Sequence, residues 1–411
     1  MTNGGPGILA RVLRTAARPS HWAPVLRSVW PLDGRTSEPD RRHLLEAVGW
    51  LVRAHDATDG RGGVSGGYYP SRGGWLASYP ETTGYIIPTL LDVADVLGDP
   101  SLEDRAGSMS RWEIDIQLAS GAVRGGVGYN SYPIVFNTGQ VIQGWAAWHR
   151  RTGDRAALDA AVRAGRWLVG IQAADGSWTQ HTHKGVPHAY SARVAWPLLE
   201  LHALTGEPAF REAGARHIAW VLSQREADGW IRLMGFTPDE SPLTHTIAYT
   251  LRGLWESGLL LGDALGDEAC AAATVGAERL LTLFERRKAA PDQAPRPMPG
   301  RLSSGWKPAA RFSCVTGNCQ ISLNWLRITA QRDDPRLLNG ALKLLDQVKG
   351  TQSLRSANPG IRGGIPGSWP VWGEYNPFAY PNWACKFFVD ALLEQERALA
   401  RVTARLRTEH P

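Results

Sequence analysis

TGQVIQGWAAWHRRTGDRAALDAAVRAGRWLVGIQAADGSW, residues 138–178, is the stretch that decides the fold. It opens with a run from Gly139 to Trp148 that is apolar on nearly every side, and breaks at Thr152-Gly153-Asp154. In the run that follows, Leu158, Ala161, Val162, Gly165, Leu168 and Val169 recur at helical spacing, with Arg155, Asp159, Arg163 and Arg166 facing the other way. Glycine takes the left-handed cap that ends one helix, and aspartate starts the next. The stretch therefore predicts a hairpin of one helix packed all round and one with a wet face. It closes on Gln172-Ala173-Ala174-Asp175-Gly176-Ser177-Trp178.

The same order of signals recurs along the chain. Gly84-Tyr85 opens a run to Leu97, broken by Gly98-Asp99-Pro100, and the partner run ends at Gln117 before a glycine-rich loop, Gly121 to Gly128. A third copy starts near Ala192, breaks at Thr205-Gly206-Glu207-Pro208 and ends at Asp228-Gly229-Trp230. The fourth begins at Thr244-His245-Thr246 and ends in a proline-rich loop to Gly300; the fifth runs from Thr316 to Gln352. A sixth begins at Tyr380-Pro381-Asn382, and its partner is the N-terminal run Leu44 to His55, so the last helix closes a ring on the first. No long stretch alternates with period two, which argues against a sheet core. The expected architecture is all-α: a single (α/α)6 toroid with a central funnel over residues 41–400, a basic N-terminal arm over 1–40 and a tail over 401–411.

Composition suits this reading. The chain has 411 residues, 43% hydrophobic and 20% charged, and no run is long and apolar enough for a membrane-spanning helix. The N-terminus lacks the features of a secretory signal, which leads to the expectation of a cytoplasmic protein. Between Ile8 and Trp30 apolar and basic residues interleave, so the arm either packs on the toroid or touches an anionic membrane surface. The charge of +6 comes mainly from arginine; without a nucleic-acid-reading motif it does not make nucleic acid an expected partner. Four cysteines are too few for a disulfide framework, and Cys314, Cys319 and Cys385 read as buried thiols rather than zinc ligands. Neither a phosphate-binding loop nor a dinucleotide fingerprint occurs, so no cofactor is expected.

The Gln172 to Trp178 segment resembles the QW repeat of terpene cyclases and prenyltransferase β subunits, which are α/α toroids. The acidic motif and zinc ligands of those enzymes have no counterpart here, so the resemblance implies architecture and disfavours a toroidal cyclase. Ser78-Tyr79-Pro80-Glu81-Thr82-Thr83-Gly84-Tyr85, Pro187-His188-Ala189-Tyr190, Leu243 to Tyr249, Thr316-Gly317-Asn318 and Pro359 to Gly364 together resemble bacterial six-hairpin toroid proteins associated with cell-surface polysaccharide genes. Toroids of this kind include glycosidases, unsaturated glucuronyl hydrolases and polysaccharide lyases. The resemblance implies a sugar-processing context.

In such a fold, the loops from each outer helix to the next inner one gather on one face, where concavity collects side chains. His188 and His245, with Tyr190 and Tyr249, are candidates for proton abstraction and donation. Arg193, Arg252, Arg311 and Arg362 are candidates for holding a carboxylate. Further candidate contacts are Tyr79, Tyr132, Asn137, Trp306, Lys307, Asn318, Trp372, Tyr375 and Asn382. Together they suggest an enzyme acting on an acidic glycan or glycolipid-linked oligosaccharide as a lyase or C5-epimerase. Glu81 and Glu374 offer an alternative, since two carboxyls flanking a glycosidic bond make a hydrolase. A non-catalytic glycan-binding or assembly protein is a third reading.

Overall fold

A computed structural model describes residues 22–29, 38–58, 62–287 and 296–409. Among the described residues, twelve long helices form six hairpins: α1 (Asp40–Asp56), α2 (Pro80–Leu97), α3 (Pro100–Asp115), α4 (Val135–Thr152), α5 (Arg155–Gly170), α6 (Ala192–Thr205), α7 (Pro208–Ser223), α8 (Thr244–Leu261), α9 (Ala264–Glu285), α10 (Val315–Thr329), α11 (Pro335–Thr351) and α12 (Asn382–Glu409). The even-numbered helices form an inner ring, each packed on the next, and α12 packs back on α2. Each odd-numbered helix lies outside an inner one, with α1 against α12. The ring closes between the C-terminal and first helices as the repeat predicts.

The hairpin turns have a common chemistry. Gly98, Gly153, Gly206 and Gly262 cap inner helices in the left-handed conformation. Asp99, Asp154, Asp263 and Asp334 then accept backbone N–H groups at the starts of α3, α5, α9 and α11. Close approach within the inner ring relies on missing side chains: a Cβ on Gly144 would lie 2.3 Å from the carbonyl oxygen of Gly84. In the second hairpin Arg155, Asp159, Arg163 and Arg166 are exposed, and Leu158, Ala161 and Leu168 are buried.

The QW-like glutamines join neighbouring outer helices. Gln117 Nε2 donates to the carbonyls of Gly121 and Ala160, and Gln172 Nε2 to those of Gly176 and Ala213. Gln352 does the same across the closure, donating to His43 and Gly363, while its Oε1 meets His43 Nδ1 at 2.6 Å. Each clasp satisfies a loop carbonyl and a helix carbonyl at once.

Among the described residues, strands are confined to pieces of two or three residues in the loops. Gly67–Tyr69 pairs antiparallel with both Gly74–Trp75 and Tyr380–Pro381, tying the first loop to the last. α12 continues through residues 401–409, so the expected tail is an extension of the closing helix. Most of the N-terminal arm, 1–21 and 30–37, lies outside the described residues. Its short helix Trp22–Arg27 docks on the toroid, with Arg27 donating to the carbonyl of Gln352 and Ser28 Oγ accepting from Val371 N–H. Among the described residues, no helix is long and apolar enough to cross a membrane.

Candidate active site

The inner helices start on the face where the long loops gather, and a cavity of about 390 Å³ opens there. This is within the usual range for small-ligand sites. Of the residues named from sequence, Tyr79, Glu81, Tyr132, Asn137, His188, Tyr190, His245, Tyr249 and Tyr375 line it.

Glu81 stands in the first turn of α2, placed by Tyr79 at the cap and Pro80 at the first helical position. Tyr79 Oη donates to Glu81 Oε2 at 2.5 Å. Burial pushes the carboxyl up to about 7, against the opposing effects of the Tyr79 hydrogen bond and the Arg193 charge. Among the described residues, Glu81 is the only carboxyl that lines this cavity, and no lysine or arginine lines it.

His245 stands at the equivalent place on α8. Its Nδ1 lies 2.8 Å from Gln320 Oε1, so Nδ1 carries the proton and Nε2 is left with a free lone pair. Burial draws its pKa down to about 4; Gln320 opposes this and the charge of Arg193 adds to it. The ring is therefore neutral near pH 7. Tyr249 lies against it with centroids 4.4 Å apart, and Tyr375 at 5.5 Å. Burial raises the pKa of both phenols, so they remain protonated donors.

His188 has a different role from the expected base. Nδ1 lies 3.0 Å from the carbonyl oxygen of Gly235 and Nε2 2.9 Å from that of His183, so a backbone oxygen stands at each nitrogen and the ring donates its N–H to one of them. Its ring stacks on Tyr190 at 4.5 Å and 15°, fixing that phenol in the wall. Asn137 is likewise held, donating to the carbonyl of Arg124, and Tyr132 stands half exposed at the mouth.

Other expected residues lie elsewhere. Glu374 is exposed and 3.7 Å from Arg301, off the cavity, so the Glu81–Glu374 pair does not form. Arg362 is exposed beside Glu46 of α1, and Arg311 and Lys307 are exposed. Trp306 packs edge-on against Trp230 in the core, and Trp372 is part-exposed outside the cavity. Asn318 and Asn382 are buried brackets, donating to Ser313 and to Ser65 and Thr82 respectively. Arg193 and Arg252 lie below the cavity floor. These corrections have two causes: for residues between helices, nearness to a helix start in sequence does not say which way a long loop folds, and for Arg193, Arg252, Asn318 and Asn382, position on an inner helix does not say which way the side chain faces. Phe136, Phe236 and Trp383 complete the wall and were missed, because an aromatic residue near an α/α core reads first as packing. The place of Trp383, in the opening turn of an inner helix like Glu81 and His245, was the available signal.

No family profile matches the chain. No curated protein sequence matches it either. Solved structures do. An unsaturated glucuronyl hydrolase from Bacillus sp. GL1 superposes with a TM-score of 0.67 at 18% identity, over 87% of this chain and 97% of that one. An unsaturated glucuronyl hydrolase specific for heparin gives 0.63 at 15% identity, over 87% and 97%. The cellobiose 2-epimerase of Spirochaeta thermophila gives 0.62 at 14% identity, over 89% and 98%. At such identities the likeness speaks to the backbone: the chain shares the (α/α)6 toroid fold of these structures.

Proposed function

We propose that this chain is a carbohydrate-active enzyme that moves a proton at a ring carbon of an acidic saccharide, with Glu81 as the acid/base. The observation that carries the reading is Glu81 itself: an enclosed carboxyl, held by Tyr79, that titrates near neutrality and so both takes and gives a proton. His245 Nε2 is the second acceptor, and Tyr190 and Tyr249 are donors for charge developing on a substrate oxygen. Removal of the C5 proton beside a uronate carboxylate leads to C5 epimerisation or to elimination of the C4 substituent. Arg193 supplies the positive field beneath the site, since its charge acts on both Glu81 and His245. An acidic saccharide is supported by the shared fold with hydrolases named for unsaturated glucuronyl substrates.

A hydrolase with one carboxyl is the second reading, favoured by Glu81 standing alone in the cavity. An unsaturated uronate is an enol ether. One acid suffices to protonate its C=C bond, after which water adds and the product opens. Incubation in D2O with saturated and unsaturated uronate oligosaccharides, followed by NMR and ultraviolet absorbance, separates these outcomes. Deuterium at C5 without cleavage marks epimerisation, new absorbance marks elimination, and lost absorbance marks hydrolysis. Glu81→Gln should lower whichever rate appears by roughly 10²–10⁴-fold. A rate indifferent to that substitution would overturn both readings.

A further inference from the structure

A second cavity, of about 200 Å³, opens on the opposite end of the toroid axis. It meets the first across a floor formed by Tyr249, which lines both. Its mouth carries three cations and three carboxylates that balance: Arg397 with Asp92 and Glu394, Arg150 with Glu200, and Arg327 with Glu394. Deeper in, the balance fails. Arg193, Arg252 and Lys386 come from three different inner helices, and their charges act on one another. Against these three cations stand two carboxylates, Asp390 beside Lys386 and Glu256 beside Arg252. Glu256 is already shared with Arg327, and Asp390 also accepts from Thr89.

Arg193 is the surplus cation. It is buried, and among the described residues no carboxylate lies within ion-pair distance of it. Its partners are the amide oxygens of Gln140 and Gln143 and the faces of Trp196 and Tyr249. Arg252 also lies over Trp196, and its Nη1 is buried with no hydrogen-bond partner among the described residues. A buried guanidinium nitrogen without an acceptor is costly, and so is a buried cation without a counter-charge. Burial is the main cause that draws Arg252 down to about 10, with Glu256 opposing and Arg327 and Arg193 adding to it. The group is still a cation at neutral pH.

We propose that this lower cavity is an anion-binding site, in which Arg252 and Arg193, backed by Lys386, hold one small oxyanion, a phosphate group or a carboxylate. The proposal is independent of the chemistry assigned to Glu81. A bound oxyanion gives Arg193 and Arg252 a shared counter-charge and rests against the Trp196 edge of the cavity. Planar guanidinium groups suit such oxyanions better than a point charge does.

Calorimetric titration of the whole protein with sodium phosphate and, separately, sodium acetate tests this, with sodium chloride at matched ionic strength as control. Saturable one-site binding is expected for at least one oxyanion, at least tenfold weaker in Arg252→Met and retained in Glu81→Gln. Binding of phosphate alone assigns the site to phosphorylated ligands; binding of both assigns it to oxyanions at large. No saturable binding, equal binding by Arg252→Met, or loss in Glu81→Gln overturns the proposal. Should Arg252→Met fail to fold, a wild-type crystal soaked in selenate decides. An anomalous peak within hydrogen-bond distance of Arg252 or Arg193 supports the site; its absence there overturns it.

Discussion

Single side chains set the chemistry here, and two carboxyls show how differently burial is used. In Glu81 the carboxyl keeps one donor, Tyr79, which favours the ionised form. Tyr79→Phe should therefore move the Glu81 titration upward from about 7, seen by ¹³C NMR of the labelled carboxyl with Glu81→Gln as the blank. An unmoved or lowered titration would count against the Tyr79 contact. Glu113 of α3 is wholly buried, and neither oxygen has a hydrogen-bond partner among the described residues. Desolvation raises its pKa well above the usual carboxylate value. The unfolded chain then loses this proton near the ordinary value while the folded chain keeps it, so stability falls as pH rises through that value. Glu113→Met should stabilise the fold by roughly 1–3 kcal/mol at pH 7, and by less near pH 4, in urea unfolding. Equal effects at both pH values would show that ionisation is not the cause.

At the level of elements, the repeated unit is a hairpin with a glutamine clasp to its neighbour. The clasp at Gln352 matters most, because it joins α11 to α1 across the chain ends and takes part in three hydrogen bonds. Gln352→Ala should cost roughly 2–4 kcal/mol, since it removes these bonds and strands buried carbonyls. Gln172→Ala, in a clasp whose third bond, accepted from Arg216 Nη2, is exposed to water and which has no closure to hold, should cost less. Denaturant midpoints at constant slope would measure both, and the reverse ranking would contradict the closure argument.

For the whole molecule, closure makes the two ends of the chain one structural unit. α12 packs on α1, α2 and α10, and its Phe387, Phe388 and Leu392 are buried with Trp50, Leu51 and Tyr85 in one cluster. Deleting residues 382–411 should therefore abolish cooperative unfolding rather than shorten the array by one unit, as it would in an open solenoid. A sharp thermal transition by circular dichroism in the truncated protein would refute this. The ring also places two cavities on one axis, with Tyr249 between them and Arg193 beneath the floor.

The sequence by itself determined the hairpins, their turns and the closing of the ring. Those follow from local physics: apolar period, glycine caps, aspartate N-caps and clasping glutamines repeat at readable spacing. It also singled out Glu81, His245 and the tyrosines beside them, because inner helices start on the face where the loops gather. Only the tertiary structure decided that a backbone carbonyl stands at each nitrogen of His188, that Glu374 and Arg362 lie outside, and that Arg193 and Arg252 line the cavity at the other end of the axis. Loop direction and depth along an inner helix depend on contacts between residues far apart in the chain, and those contacts leave no period in the sequence.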